Sequence, residues 1–418
     1  MFNLGRFYGS LIKLHLFNNR TLCLNIEKMK KFYKISILIL IVIFNSCNKY
    51  DLKKQAGKQK NIKVEINYNI ETLGLIYSLA DSELVYSDFK GSAHLLKYFL
   101  KRFKKYEKHP AVIKMKELIK KGIFEASSVT IGLYYTDFPE FKEKYSYDYS
   151  GYTEAEIKEL NDFFRLARMF YVDADLKHFF KKQYKLYSKI EDEVKSVLPP
   201  KEYIKVLEDF HGIPMRDYII IPSVFIPNYF NFGPTITTKN GTINYYVLGP
   251  TYDINIKNKI NLKNNLGFND KEYLNSTAIH EFGHTFMRFI DKPQNMKLIN
   301  SISYLNTKEL QNKIYTQGYG SWKNVFEEHL VRTCEIVIAG KMGNEKLKEK
   351  LYNNYVNERG FKYIPIILKI IPEYENNRDK YKKFEDFLPR IIEELRLKAK
   401  PSITHNIKNS ADSTKKEI

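Results

Sequence analysis

Cysteine is scarce in this chain. Only Cys23, Cys47 and Cys334 occur among 418 residues, too few for a disulfide-stapled scaffold or for a Cys-rich zinc ribbon or finger. Long apolar runs are missing too: no stretch reaches 18 apolar residues, which excludes a multispanning membrane protein. Acid is the poorer charge, 48 Asp+Glu against 68 Lys+Arg, for a net charge of +20. Part of that surplus sits at the start, where residues 1–46 hold seven basic residues and the single acid Glu27. The rest is lysine dispersed among Asn, Ile and Tyr. Dispersed lysine favours solubility and weak attraction to anionic surfaces, and no recognition motif accompanies it, so nucleic acid is not an expected partner. Internal repeats and low-complexity tracts are absent as well. What is present is a hydrophobic content of 44%, enough for a real core and for one large or two medium domains.

The N-terminus reads as an address label. Residues 29–47, MKKFYKISILILIVIFNSC, join a basic n-region to an apolar stretch ending at Ser46-Cys47. This fits a secretory signal at 29–46 in the manner of a bacterial lipobox, with Cys47 acylated as the first mature residue. The expected location is the bacterial cell envelope, outside the cytoplasm, with more than one acyl chain making the membrane attachment stable. Residues 1–28 fit neither reading and are expected to precede the true start at Met29. Residues 47–62 then form a polar, Lys-rich tether, residues 63–398 the folded body, and residues 399–418 a polar tail without a core pattern.

Along the body, Lys63–Ile70 reads as a strand. Helical periodicity covers 92–121 with a break at Pro110, the segment 124–141 reads as extended, and a long helix is expected over 153–198 with a shorter one at 201–210. The most strand-like part follows, RDYIIIPSVFIPNYFNFG and TINYYVLGP, with a hairpin turn at Lys239-Asn240-Gly241. Helices are expected again at 272–291, 307–316, 322–340, 344–358 and 380–398. This order predicts an α+β body, mostly helical with a small mixed sheet, and not regular βαβ alternation.

One motif carries chemistry. Residues 280–284 read His-Glu-Phe-Gly-His inside LNSTAIHEFGHTFMRFI. Asn275 or Ser276 can cap this helix, and Ile279, Phe282, Phe286, Phe289 and Ile290 supply its apolar stripe. His280 and His284 then stand one turn apart on one side and can grip one ion. Glu281, about 100° around the axis, flanks that ion without ligating it, the position for a carboxylate that takes a proton from water. Zinc suits this donor set. Chance would produce the pattern roughly 0.01 times in a chain of this composition.

A third protein ligand is required. The metzincin extension would need Gly at 287 and His at 290, where this chain has Met287 and Ile290. The alternative is a carboxylate from SWKNVFEEHLVRTCEIVIAG, which offers Glu327, Glu328, His329 and Glu335. Glu328 is favoured, with Glu327 next. Glu328, Arg332 and Glu335 share a helix face, so Arg332 can pair with either acid or point at a developing oxyanion. Tyr319, in QGYGSW, is a further candidate donor to that oxyanion. The strand around Tyr245–Leu248 is a candidate edge for an extended peptide. His94, His109, His178 and His211 are isolated.

The combination IHEFGH, QGYGSW and EEHLVRT, with KHPAVIKMKELIKKGI and SVFIPNYFNFGPTI upstream, resembles a family of bacterial, often lipid-anchored HExxH proteins described as a domain of unknown function and regarded as gluzincin-type zinc metallopeptidases. The likeness spans most of residues 63–340. It implies a zincin-like fold, Zn2+ held by His280, His284 and Glu328, and Glu281 as the catalytic carboxylate, with Tyr319 and Arg332 as candidate catalytic partners. It implies no substrate beyond a peptide or protein. The competing expectation is a non-catalytic surface lipoprotein that keeps a zincin-like shell to bind protein or glycan.

Overall fold

The computed structural model describes residues 60–81, 94–252 and 260–399. The signal segment, Cys47, most of the tether and nearly all of the tail lie outside the described residues. Among those described, no helix is long and apolar enough to cross a membrane.

The sheet has five strands: β1 (Ile62–Val64), β2 (Asp217–Pro222), β3 (Asn231–Phe232), β4 (Thr235–Thr238) and β5 (Gly241–Leu248). β1, β2 and β5 run parallel, while β3 and β4 run antiparallel along the far side of β5. The hairpin forms as the sequence predicts. Thr238 pairs with Gly241 across a two-residue turn, and Gly241 takes a φ of +107 that a side chain would strain. β2 and β5 are almost wholly buried, as expected of strands covered on both faces.

One face of β5 meets the helix Lys271–Phe286, hereafter the histidine helix. The Asn244 amide donates to Phe282 O at 3.0 Å, and the Tyr218 and Tyr246 rings stand edge-on to Phe282. The helix Tyr184–Ser196 packs against β1 and β2. The carboxylate of its buried Glu193 accepts the N–H groups of Leu266 and Phe268 at 2.7 and 3.1 Å. That contact fixes the loop feeding the histidine helix, which Asp270 then caps by accepting from Tyr273 N–H at 2.9 Å. The cap therefore lies five residues ahead of Asn275, the first expected position. Asn275 and Ser276 are inside the helix, bonded to Lys271 O and Tyr273 O.

Several other expectations are corrected. Tyr68–Ala80 is a helix, where Ile70 was expected to close a strand. It is buried from Asn69 to Leu79, so no polar stripe marks its period. Residues 126–134, expected extended, wind as 3-10 turns. The long helix of 153–198 is three helices, Glu154–Asp173, Leu176–Lys182 and Tyr184–Ser196, broken at Asp175, whose φ is +48. β1 begins at Ile62, and Lys60 is already pinned to Glu208 at 2.8 Å, inside the segment expected to be a tether. Helices at Pro293–Asn300 and Ile364–Asn376 were not anticipated. Tyr245–Leu248 is no edge: β2 pairs with β5 on one side, β3 and β4 on the other.

Candidate metal centre

Two helices build the site. The histidine helix crosses Trp322–Lys341, hereafter the glutamate helix, at Gly283. A Cβ placed on Gly283 would meet Val331 Cγ1 at 3.3 Å, so the small residue permits the close crossing. The sheet holds the histidine helix from the other side. Thr285 Oγ1 donates to Asn244 Oδ1 at 2.7 Å and lies 2.7 Å from Thr235 Oγ1. The backbone at Gly233 presses on Glu281: a Cβ there would fall 2.4 Å from Glu281 O and 3.0 Å from its Oε2.

At the crossing, His280, His284 and Glu328 offer ligand atoms that all lie within 4.8 Å of one another, the only such trio among the described residues. The two Nε2 atoms face each other at 3.2 Å. Glu328 Oε1 is 3.5 Å from His284 Nε2, and its Oε2 is 3.8 Å from His280 Nε2. The outer nitrogens also meet carboxylates. Glu327 Oε1 lies 3.0 Å from His284 Nδ1, and Glu335 Oε1 lies 3.3 Å from His280 Nδ1, the latter without hydrogen-bond alignment. Carboxylates at both Nδ1 atoms favour protons there, which turns two Nε2 lone pairs toward each other and toward a third anion. A proton on His284 or a metal cation reconciles that arrangement. Zinc–nitrogen bonds of about 2.0–2.1 Å in a tetrahedron also require an N–N separation of ~3.3 Å, so the donor set fits.

Glu327 thus holds an imidazole in place and does not face the trio, which leaves Glu328 as the third donor. His329, the other histidine on that helix, faces away. It is fully buried, its Nδ1 meets Val325 O at 2.7 Å, and burial lowers its pKa to about 4. His109 caps its own helix, and His211 is buried against Phe286.

Burial shapes the protonation of the cluster. It raises the Glu281 pKa to about 7, with Glu328 and Glu335 adding and His284 opposing. On His284 burial opposes the charge, but Glu327, Glu328 and Glu281 outweigh it and lift the pKa to about 9. Burial, reinforced by Arg332, pushes His280 well down. Glu328 is also penalised by burial, yet Arg332 and the two histidines hold its pKa below the usual carboxylate value. A divalent cation would compete with the proton favoured on His284.

Arg332 is 3% exposed and stands behind the site, not in the cleft. Its Nη2 lies 2.8 Å from Glu328 Oε2 and donates to the Tyr319 hydroxyl at 2.9 Å. The guanidinium sits in the corner between the Tyr355 and Phe361 rings, 4.5 and 4.7 Å from their centroids, the two rings standing edge-on to each other. Arg359 was not singled out by the sequence. It donates to Gln317 Oε1 at 2.7 Å and to the Tyr319 hydroxyl at 3.4 Å. Arg359 and Tyr355 come from a π-helical turn and its end, Asn353–Glu358 and the residue after it. Such turns are rare and often mark functional sites. Nothing local in the sequence announces this one.

In front of the trio opens a cleft of about 530 Å³, lined among others by Phe232, Gly233, Pro234, His280, Glu281, His284, Tyr319 and Glu328. The geometry defines an α+β protein with a candidate three-ligand metal centre at the crossing of two helices. The model of a family described as a domain of unknown function, DUF4932, matches residues 62–394, and the chain belongs to that family. No curated protein and no solved structure matches it.

Proposed function

We propose that this protein is a zinc-dependent peptidase with a zincin-like body of the HExxH-plus-Glu kind, carried outside the cytoplasm on a lipidated Cys47. The observation that supports it best is the convergence of His280, His284 and Glu328 within 4.8 Å at the floor of a cleft that Glu281 also lines. These three residues would hold the ion, and when bound, zinc supplies Lewis acidity. Glu281, 9% exposed and with a proton affinity near neutrality, takes a proton from the attacking water and passes it to the leaving amine. The Tyr319 oxygen accepts from Arg332 and Arg359, which leaves its own O–H to donate to the developing oxyanion. Arg332 acts through Tyr319 and Glu328, as a positioning residue. The outer edge of β3, with Gly233 after it, offers an extended peptide the sheet edge that Tyr245–Leu248 does not. The envelope location rests on residues 29–47 of the sequence alone.

The test is Glu281→Gln. Metal analysis should show unchanged zinc, while hydrolysis of a mixed peptide library falls by about two to four orders of magnitude. Fully zinc-loaded wild-type protein that cleaves nothing in that library would favour the binding lipoprotein instead.

A further inference from the structure

The cleft has a far wall that takes no part in the chemistry above. It comprises Glu125, the 3-10 segment Ala126–Tyr134 and the tyrosine-rich stretch after it. Glu125, Tyr147 and Tyr152 line the cleft from this side. The wall is braced from behind. The Tyr134 hydroxyl donates to Thr235 O at 2.8 Å, and its ring meets Tyr147 edge-on at 5.0 Å. Tyr149 packs edge-on against both Tyr147 and Tyr152, and its hydroxyl lies 2.7 Å from that of Tyr135.

Charge is the informative feature. The chain carries a net charge of +20, yet among the described residues no Lys or Arg lines the cleft, while Glu125, Glu281 and Glu328 do. Glu328 is engaged by Arg332 and the two histidines. Glu281 is 9% exposed, its carboxylate has no hydrogen-bond partner among the described residues, and it lines the same cavity. Glu125 is exposed and forms no ion pair among the described residues; its carboxylate accepts the Ser127 hydroxyl at 2.7 Å and the backbone N–H of Ser128, capping the 3-10 segment. A carboxylate without a counter-ion among the described residues, in a cleft that two tyrosines also line, suits a cationic nitrogen. The acid supplies a charge-assisted hydrogen bond and the ring faces supply cation–π attraction.

We propose that the cleft selects substrates with a cationic nitrogen near the bond to be cut, with Glu125 as the specificity-determining residue and Tyr147 and Tyr152 as the sides of its subsite. The substrate's being a peptide rests on the peptidase reading. One chemistry then has two sources, a Lys or Arg side chain or a free α-amino group.

The experiment uses zinc-loaded protein and matched peptides carrying Lys, norleucine or Glu at one position, each with a free or an acetylated N-terminus. Wild-type kcat/KM should favour cationic over neutral peptides by about ten- to a hundredfold. Preference for Lys identifies the side-chain source, and loss of cleavage on acetylation the α-amino source. Glu125→Gln should bring the cationic-to-neutral ratio toward one, and Glu125→Lys should favour the Glu peptide. Equal cleavage of all peptides by wild type, or a ratio untouched by Glu125→Gln, overturns the subsite. If wild type cleaves none, the peptidase reading fails separately, and calorimetric binding of the same peptides decides. A cationic preference that disappears in Glu125→Gln upholds the subsite; equal or absent binding refutes it.

Discussion

Neighbouring residues in the candidate site have different jobs. One step along a helix turns a side chain by about 100°. Glu328 therefore faces the two Nε2 atoms, while Glu327 reaches around to the outer nitrogen of His284. Tyr319 is held by two guanidiniums, Arg332 at 2.9 Å and Arg359 at 3.4 Å. Removing its hydroxyl should remove the proposed oxyanion donor and leave ion binding intact. Tyr319→Phe is expected to lower kcat about a hundredfold with KM and zinc content unchanged. Arg359→Ala should lower kcat in the same direction, and Arg359→Lys should recover part of it. A change in melting temperature alone, with kcat preserved, would reduce Arg359 to a packing role.

Elements, not single residues, set the spacing of the trio. Val331 on the glutamate helix sits against Gly283, where even a Cβ would be tight at 3.3 Å. A larger side chain must push the two helices apart and carry Glu328 away from the histidines. Gly283→Leu should cost about 1–3 kcal/mol in denaturant unfolding and weaken zinc binding at least tenfold in a chelator titration. Unchanged zinc affinity would mean that the crossing does not govern the site. Elements also explain the misread segments. Tyr68–Ala80 is buried on all sides and Ile364–Asn376 is rich in Ile with Pro372 inside it. Periodicity is silent in the first, and local propensity points away from helix in the second, so tertiary burial decides both.

Across the whole molecule, buried Glu71 ties three distant segments together. It lies on Tyr68–Ala80, accepts the Tyr187 hydroxyl at 2.8 Å and accepts Val224 N–H at 3.2 Å. Burial raises its pKa to about 7, against the opposing pull of its hydrogen bonds. The unfolded chain restores the ordinary value near 4.5. Because the folded value is the higher one, the stabilising contribution is full below about pH 4.5 and is lost as pH rises through about 7. The shift is worth on the order of 3 kcal/mol. Glu71→Gln cannot ionise, so its loss of stability between pH 5 and pH 8 in urea unfolding should be smaller than that of wild type by a comparable amount. Parallel curves for the two proteins would show that Glu71 does not titrate in this range.

Local pattern alone determined the helix that carries His280 and His284 on one side, the placement of Glu281 beside them, and the hairpin at Lys239–Asn240. Each depends on a repeat of a few residues or on one turn, which short-range sterics and hydrogen bonding dictate. Only the tertiary structure decided that Glu328 and not Glu327 faces the two Nε2 atoms, that Arg332 stands behind Tyr319, that Arg359 joins it, and that β3 and β4 take the sheet edge from Tyr245–Leu248. Those outcomes depend on where two helices cross and on which strands pair. Packing between segments far apart in the chain sets both, and no window of sequence contains both partners.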